Sequence, residues 1–197
     1  MIKILDACVA IRLMQIGAFD SVLDAYGDKL YVTESVHREV SKEPARSTLQ
    51  QAIDNGRIKV HKSEKKELEL AYRELHKKNI KIHFDDVPNV VAAKDMNAEL
   101  VTDDFVLFTA AEMWRKDTDV NLFVLNTRGL LFEMFLSKKM DLISFIKWIL
   151  DIYKLSEIPN ISHQLQRRIL SVDDIQKQFG EYQRYLVKAI QIAEGYK

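Results

Sequence analysis

Short apolar runs recur along the first two thirds of the chain, at residues 2–5, 30–32, 58–60, 100–101 (ending at Thr102) and 122–125. Longer stretches with apolar positions three and four apart separate them, predicting helices over 9–26 (broken near Gly17), 35–40, 47–55, 63–78, 86–97, 105–116 and 128–136. Strands that alternate with helices imply a parallel sheet with crossover connections. The runs lack regular polar alternation, which fits strands covered on both faces. Asn55-Gly56 is a helix stop, because both residues tolerate the left-handed conformation. Ser63, ahead of Lys66-Glu67, is the expected cap of the helix that follows.

From Asp141 onward the pattern is helical only. Leu142, Ile143, Phe145, Ile146, Ile149, Leu150 and Tyr153 make a wide apolar stripe, and Pro159 interrupts the chain. A short helix over 161–170 is expected next, then a cap at Ser171 to Asp174. A final helix follows, with Ile175, Phe179, Tyr182, Leu186, Ala189 and Ala193 on one side. That stripe must pack on its own chain or on a partner. The expected organisation is an α/β domain over 1–137 and a helical extension over 138–197.

With 197 residues, one domain and a small appendage are expected. Three prolines and six glycines exclude collagen-like and low-complexity classes. Twenty-nine basic residues balance twenty-nine acidic ones, so any nucleic-acid contact must come from a local patch. Arg57, Lys59, Lys62, Lys65, Lys66, Lys77, Lys78 and Lys81 give the middle of the chain such a bias, as a phosphate track or a solvated face. Cys8 is the only cysteine, which excludes thiolate-based zinc sites and suits a reducing cytosol. The opening segment carries Asp6 and makes a poor signal peptide. The apolar stretch over 140–153 is broken by Asp141, Lys147 and Asp151 and falls short of the ~20 residues that span a bilayer. No membrane contact and a cytoplasmic location are the expectation.

Composition leaves function open; the carboxylates narrow it. Asp6 follows the first strand, Glu39 lies on the helix after the second, Asp86 opens a helix, and Asp103-Asp104 end the fourth strand. Open parallel sheets bind ligands at the carboxyl ends of strands, near a switch in strand order. If strands one and four are neighbours, Asp6 and Asp104 share one pole. Clustered carboxylates repel each other, and a divalent cation relieves that cost; oxygen-only ligands select Mg²⁺ or Mn²⁺ over zinc. Singly, each acid also has an ordinary explanation: Asp6 and Asp86 as helix caps, Glu39 as a solvated residue, Asp103-Asp104 as a turn.

Four segments resemble PIN-domain nucleases, and in size and spacing the VapC-like branch. These are Leu5-Asp6-Ala7-Cys8, Ser35 to Glu39, Asp86 ahead of Val91-Ala92-Ala93 with Thr102-Asp103-Asp104 downstream, and Thr127-Arg128-Gly129-Leu130-Leu131. The resemblance covers roughly 1–137. It implies an α/β sandwich with a central parallel sheet of about five strands flanked by helices, here with an α-helical extension. It further implies a ribonuclease that hydrolyses phosphodiester bonds, with Asp6, Glu39, Asp86 and Asp104 as catalytic acids. Asp6, Asp86 and Asp104 would hold Mg²⁺ or Mn²⁺. Asp85 and Asp103 stand beside assigned acids and are secondary candidates, as are Thr102 and Thr127; Asn126 is a weaker one. His83 is a candidate for the rim. The expected partners are an RNA substrate, a second copy of the chain in a homodimer, and an antitoxin-like protein if the chain is the toxin of such a pair. Two other functions stay open: a silent RNA-binding or scaffold module of the same fold, and another Mg²⁺-dependent phosphate hydrolase. A haloacid-dehalogenase type would need Asp-x-Asp after the first strand, where this chain has Asp6-Ala7-Cys8.

Overall fold

The computed structural model describes residues 1–78, 80, 82–118 and 122–155. Each of the five apolar runs forms a strand: β1 (Lys3–Leu5), β2 (Leu30–Thr33), β3 (Lys59–His61), β4 (Glu99–Val101) and β5 (Phe123–Leu125). They make one sheet, parallel throughout, in the order β3-β2-β1-β4-β5. The chain runs outward from β1 to β3, then returns across β1 to β4. The order therefore reverses between β1 and β4. Leu5, Val101 and Leu125 lie level with one another across this half of the sheet. Two further bonds, Asp6 N–H to the Val101 carbonyl (3.0 Å) and Thr102 N–H to the Leu125 carbonyl (2.9 Å), extend the pairing beyond the strands.

Parallel strands need long crossovers, and helices supply them. After β1 come α1 (Ala7–Gln15) and α2 (Phe19–Tyr26), broken at the expected place, where Gly17 has φ +70°. Next are α3 (Glu34–Glu39) and α4 (Ala45–Asp54), the latter ending at Asn55 and Gly56, with Gly56 at φ +70°. α5 (Lys65–Lys77) and α6 (Val87–Asp95) lead into β4, and α7 (Phe105–Thr118) joins β4 to β5. α6 is apolar on nearly every side and packs with Ile4 and Leu100 in a core completed by Leu75, Leu107 and Trp114. The cap of α5 differs from expectation. Glu64 occupies the cap position without a side-chain bond, while the Ser63 hydroxyl lies 3.4 Å from His61 Nδ1.

Side-chain alternation along β1 puts Ile4 against α6 and Lys3 on the opposite face. Lys3 is fully buried there, ion-paired with Glu99, its in-register neighbour on β4, and its ammonium lies 5.1 Å from the Tyr26 ring centroid. A charge inside a short apolar run looks like an interruption; the register supplies its counter-charge. The basic run in the middle of the chain is similarly engaged: Arg57 pairs with Asp20 and Asp24, Lys59 with Asp28, Lys62 with Glu34 and Lys65 with Glu69. It reads mainly as a solvated, paired surface; Lys81 lies outside the described residues.

The chain divides into two compact units at Thr127/Arg128, where the sequence had suggested 137/138. In the second unit α8 (Thr127–Leu136) and α9 (Leu142–Leu155) are described. Phe145 stacks on Phe135 with centroids 4.9 Å apart and meets Phe132 at 6.2 Å, so the stripe of α9 is anchored at least partly on its own chain. The expected helix over 161–170, the cap at Ser171 and the final helix lie outside the described residues. No helix among the described residues is long and apolar enough to cross a membrane.

Removing one partner of a buried ion pair leaves the other charge desolvated. Lys3→Met should therefore lower the unfolding free energy by about 3 kcal/mol in urea denaturation, and Lys3→Met with Glu99→Leu should recover most of the loss. A single variant as stable as the parent would mean that the pair carries no such constraint.

Candidate functional site

Asp6 sits where β1 gives way to α1, and its carboxylate is the best-held polar group of the region. Oδ1 accepts from the Ala7 N–H (2.8 Å), capping α1, and from Asn89 Nδ2 (3.1 Å). Oδ2 accepts from the Thr102 hydroxyl (2.8 Å) and the Cys8 thiol (2.9 Å). Four donors match the roughly four lone-pair positions of a carboxylate. The capping role and the site role thus coincide in one side chain.

Two of those donors link neighbouring strands. Thr102 follows β4, and its hydroxyl also accepts from the Asp104 N–H (3.0 Å), so it ties the Asp104 backbone to the Asp6 carboxylate at the end of β1. Asn89 is buried in α6, and its Oδ1 accepts from the Thr33 hydroxyl (2.7 Å) at the end of β2. Since that donation uses the only Thr33 proton, the Ser35 hydroxyl must donate to Thr33 (2.8 Å). A chain of bonds from Ser35 through Thr33 and Asn89 to Asp6 ties β2, α6 and β1 together. Asn89 was not anticipated. Its signal was available, as the lone amide in the run Val87 to Ala93.

The tandem acids separate into distinct roles. Asp103 accepts from Arg12 Nη1 (2.7 Å), the Thr127 N–H (2.9 Å) and the Thr127 hydroxyl (2.5 Å). It is a clasp between α1, β4 and the end of β5, which gives Thr127 a structural place. Asp104 caps α7, its Oδ1 accepting from Val106 N–H (2.7 Å) and Leu107 N–H (2.9 Å). Asp86 stands at the cap position of α6 but makes no side-chain capping bond.

Glu39, Asp86 and Asp104 lie close enough to Asp6 for mutual repulsion. Burial first, then the charges of Asp6, Asp104 and Glu39, push the Asp86 carboxyl up to about 6, while His83 acts in the opposite sense. Burial, then Asp6, Asp85 and Asp104, raise Glu39 as well. All four acids singled out in the sequence are thus brought to one electrostatic site, with Asp85 and His83 at its margin. The Cys8 thiol is pushed up to about 12, chiefly by burial and then by Asp6, which makes it a hydrogen-bond donor and a poor nucleophile. Among the described residues, no group of three or more such side chains already stands in position to hold a metal ion. The donor set is nonetheless all oxygen, repelling and only partly compensated, which suits a hard divalent cation.

The class defined so far is an α/β protein with five parallel strands and an acidic site at the reversal of strand order. No family model, curated protein or solved structure matches the chain.

The raised Asp86 carboxyl has a thermodynamic consequence. Between about pH 4 and 6 the folded chain binds a proton there that the unfolded chain releases, so this group's contribution to stability falls as pH rises through that window. Asp86→Asn cannot ionise. It should remove that part of the fall and melt higher than the parent at pH 7, measured by thermal unfolding from pH 4 to 7. A variant that melts lower at pH 7 would contradict the repulsion.

Proposed function

We infer that the chain is a PIN-type, divalent-metal-dependent endoribonuclease. The observation that carries this is the meeting of the β1 and β4 ends at the Asp6 carboxylate, bonded to Thr102 and to Asn89 so that Asp104 and Asp86 stand on the segments joined there. The order of these acids along the chain, and their similarity to the PIN pattern, support the same reading. Mg²⁺ or Mn²⁺ would be held by Asp6, Asp86 and Asp104, with Glu39 completing the set. Such an ion supplies a lowered pKa for water and charge stabilisation at the phosphate. The chain's own part is to hold Asp6 through Thr102 and Asn89, to keep Asp104 fixed as a cap, and to leave the Asp86 and Glu39 carboxylates outside any helix cap.

One observation favours a second reading, a silent module of the same fold. The four donors on Asp6 already match its lone pairs, so a metal would have to displace one, and the Cys8 thiol is the weakest of them. The two readings differ in what Mn²⁺ does. For a nuclease, Mn²⁺ raises the melting temperature of the parent by mass action and has a much smaller effect on Asp86→Asn. Cleavage of a single-stranded RNA oligomer increases from pH 5 to 7 as the acids ionise. It is lost, by at least about a hundredfold, in Asp86→Asn and Glu39→Gln while their circular dichroism stays native. Asp6→Asn is a poorer probe, since it breaks a cap and two inter-element bonds. Full activity in Asp86→Asn would overturn the nuclease reading; no cleavage and no Mn²⁺ shift in the parent would favour the silent one. A parallel assay on a phosphomonoester separates a general phosphate hydrolase. The homodimer and the antitoxin-like partner belong to the same proposal, and light scattering of the full chain tests the first.

A further inference from the structure

Two exposed phenylalanines adjoin the acids along the chain. Phe105 follows Asp104 directly as the first residue of α7, and with 81% of its surface exposed it is the barest large apolar side chain of the described residues. Phe84 lies two residues before Asp86 and is 40% exposed. It is not loose: its ring meets Tyr72 of α5 edge-on, centroids 5.4 Å apart, and Tyr72 lies 4.0 Å from the exposed His76 ring. Asn89, three residues into α6 from Asp86, and Thr102, which holds the Asp104 backbone, both bond the Asp6 carboxylate, so the two rings belong to segments that meet at a single site.

We propose that Phe84 and Phe105 are stacking platforms for the nucleobases that flank the scissile phosphate, so that the site takes unpaired RNA. This rests on the ribonuclease reading above. The acids attract a phosphodiester only through a cation, and Arg57, Lys59, Lys62 and Lys65 of the basic run are engaged in ion pairs. Affinity must then come from elsewhere. Aromatic faces supply it without sequence preference, because every base has a π-face. Bases inside a duplex are already stacked and cannot reach such rings, which selects single strands. The rival occupant is a second copy of this chain, since Val106 and Met113 extend the exposed apolar surface along α7. A carboxylate adjoins each ring, Asp85 beside Phe84 and Asp104 before Phe105, and a dry interface between copies would have to desolvate both, which disfavours the second copy. A protein hot spot is instead ringed by contacts that exclude water.

The test compares Phe105→Ala, Phe105→Leu, Phe105→Tyr and the same three changes at Phe84 on a single-stranded RNA oligomer. Alanine and leucine should raise KM about tenfold or more at each position, with kcat within about twofold, and tyrosine should restore the parent value. Anisotropy of a labelled oligomer on the non-cleaving Asp86→Asn protein reads binding alone. It should weaken by a similar factor on adding either alanine change, and on replacing the oligomer by an abasic one. If leucine serves as well as phenylalanine, or alanine changes nothing while the parent cleaves RNA, the platforms are overturned and the nuclease reading stands. If the parent cleaves no RNA but binding still depends on the rings and the bases, the nuclease reading fails and the platforms survive. If the alanine variants dissociate a dimer in light scattering without loss of oligomer binding, the rings belong to an interface between copies and the proposal is overturned.

Discussion

The carboxylate of Asp6 is the point on which the site depends. Its four hydrogen bonds come from α1, α6 and the end of β4, so one side chain registers three elements that are far apart in sequence. Buried carboxylates are tolerated only when their acceptor capacity is met, and here it is met by groups whose other bonds run onward. Thr102 passes the connection to the backbone of Asp104, and Asn89 passes it to Thr33. Loss of Thr102 or Asn89 would free more than one neighbour. That coupling explains why small polar residues, rather than bulky apolar ones, close β2 and β4.

Against this well-compensated group stand acids that are poorly compensated. Asp86 makes no cap, Glu39 lies exposed at the end of α3, and both carboxyls are raised by partial desolvation and by neighbouring charges. The fold spends stability by placing them beside Asp6. Nothing about building a five-stranded sheet requires that expense, since an asparagine or serine could open α6 equally well. Residues that break local rules without structural gain mark functional places in natural proteins. The contrast within one site, one acid held by four bonds and others left in mutual repulsion, distinguishes it from an ordinary cluster of caps.

Much of this was legible in the sequence, for identifiable reasons. Strands buried on both faces are short apolar runs, and the order of strands and helices allowed β1 and β4 to be placed side by side, with Asp6 and Asp104 at one pole. What escaped depends on register and on three-dimensional neighbours. Lys3 reads as a polar flaw in β1 until Glu99 is found opposite it on β4. Asn89 reads as one amide in an apolar helix until Asp6 and Thr33 are found at its two ends. Ser63 was expected to cap α5 because serine favours caps, but the hydroxyl lies beside His61 instead and Glu64 takes the position. The first two misses involve a polar side chain whose partner is remote in sequence; the third is a local choice between a helix cap and a strand-end neighbour.

The paired acids at the end of β4 show how neighbouring residues divide two tasks. Successive side chains leaving a strand point to different sides. Asp103 therefore turns toward Arg12 and Thr127, where a cation and two further donors satisfy it, while Asp104 turns toward α7 and the other acids. A shift of one residue would exchange those tasks. Asp103 would lose its counter-charge and Asp104 its helix cap, at a cost on both sides, so the register of the fourth strand end is specified twice. The same clasp anchors the end of β5 to α1 through Arg12. The site is consequently tied to both neighbours of the reversal in strand order: to β2 through Asn89 and to β5 through Asp103. With these ties on both sides, the acids can remain in repulsion without opening the sheet between β1 and β4.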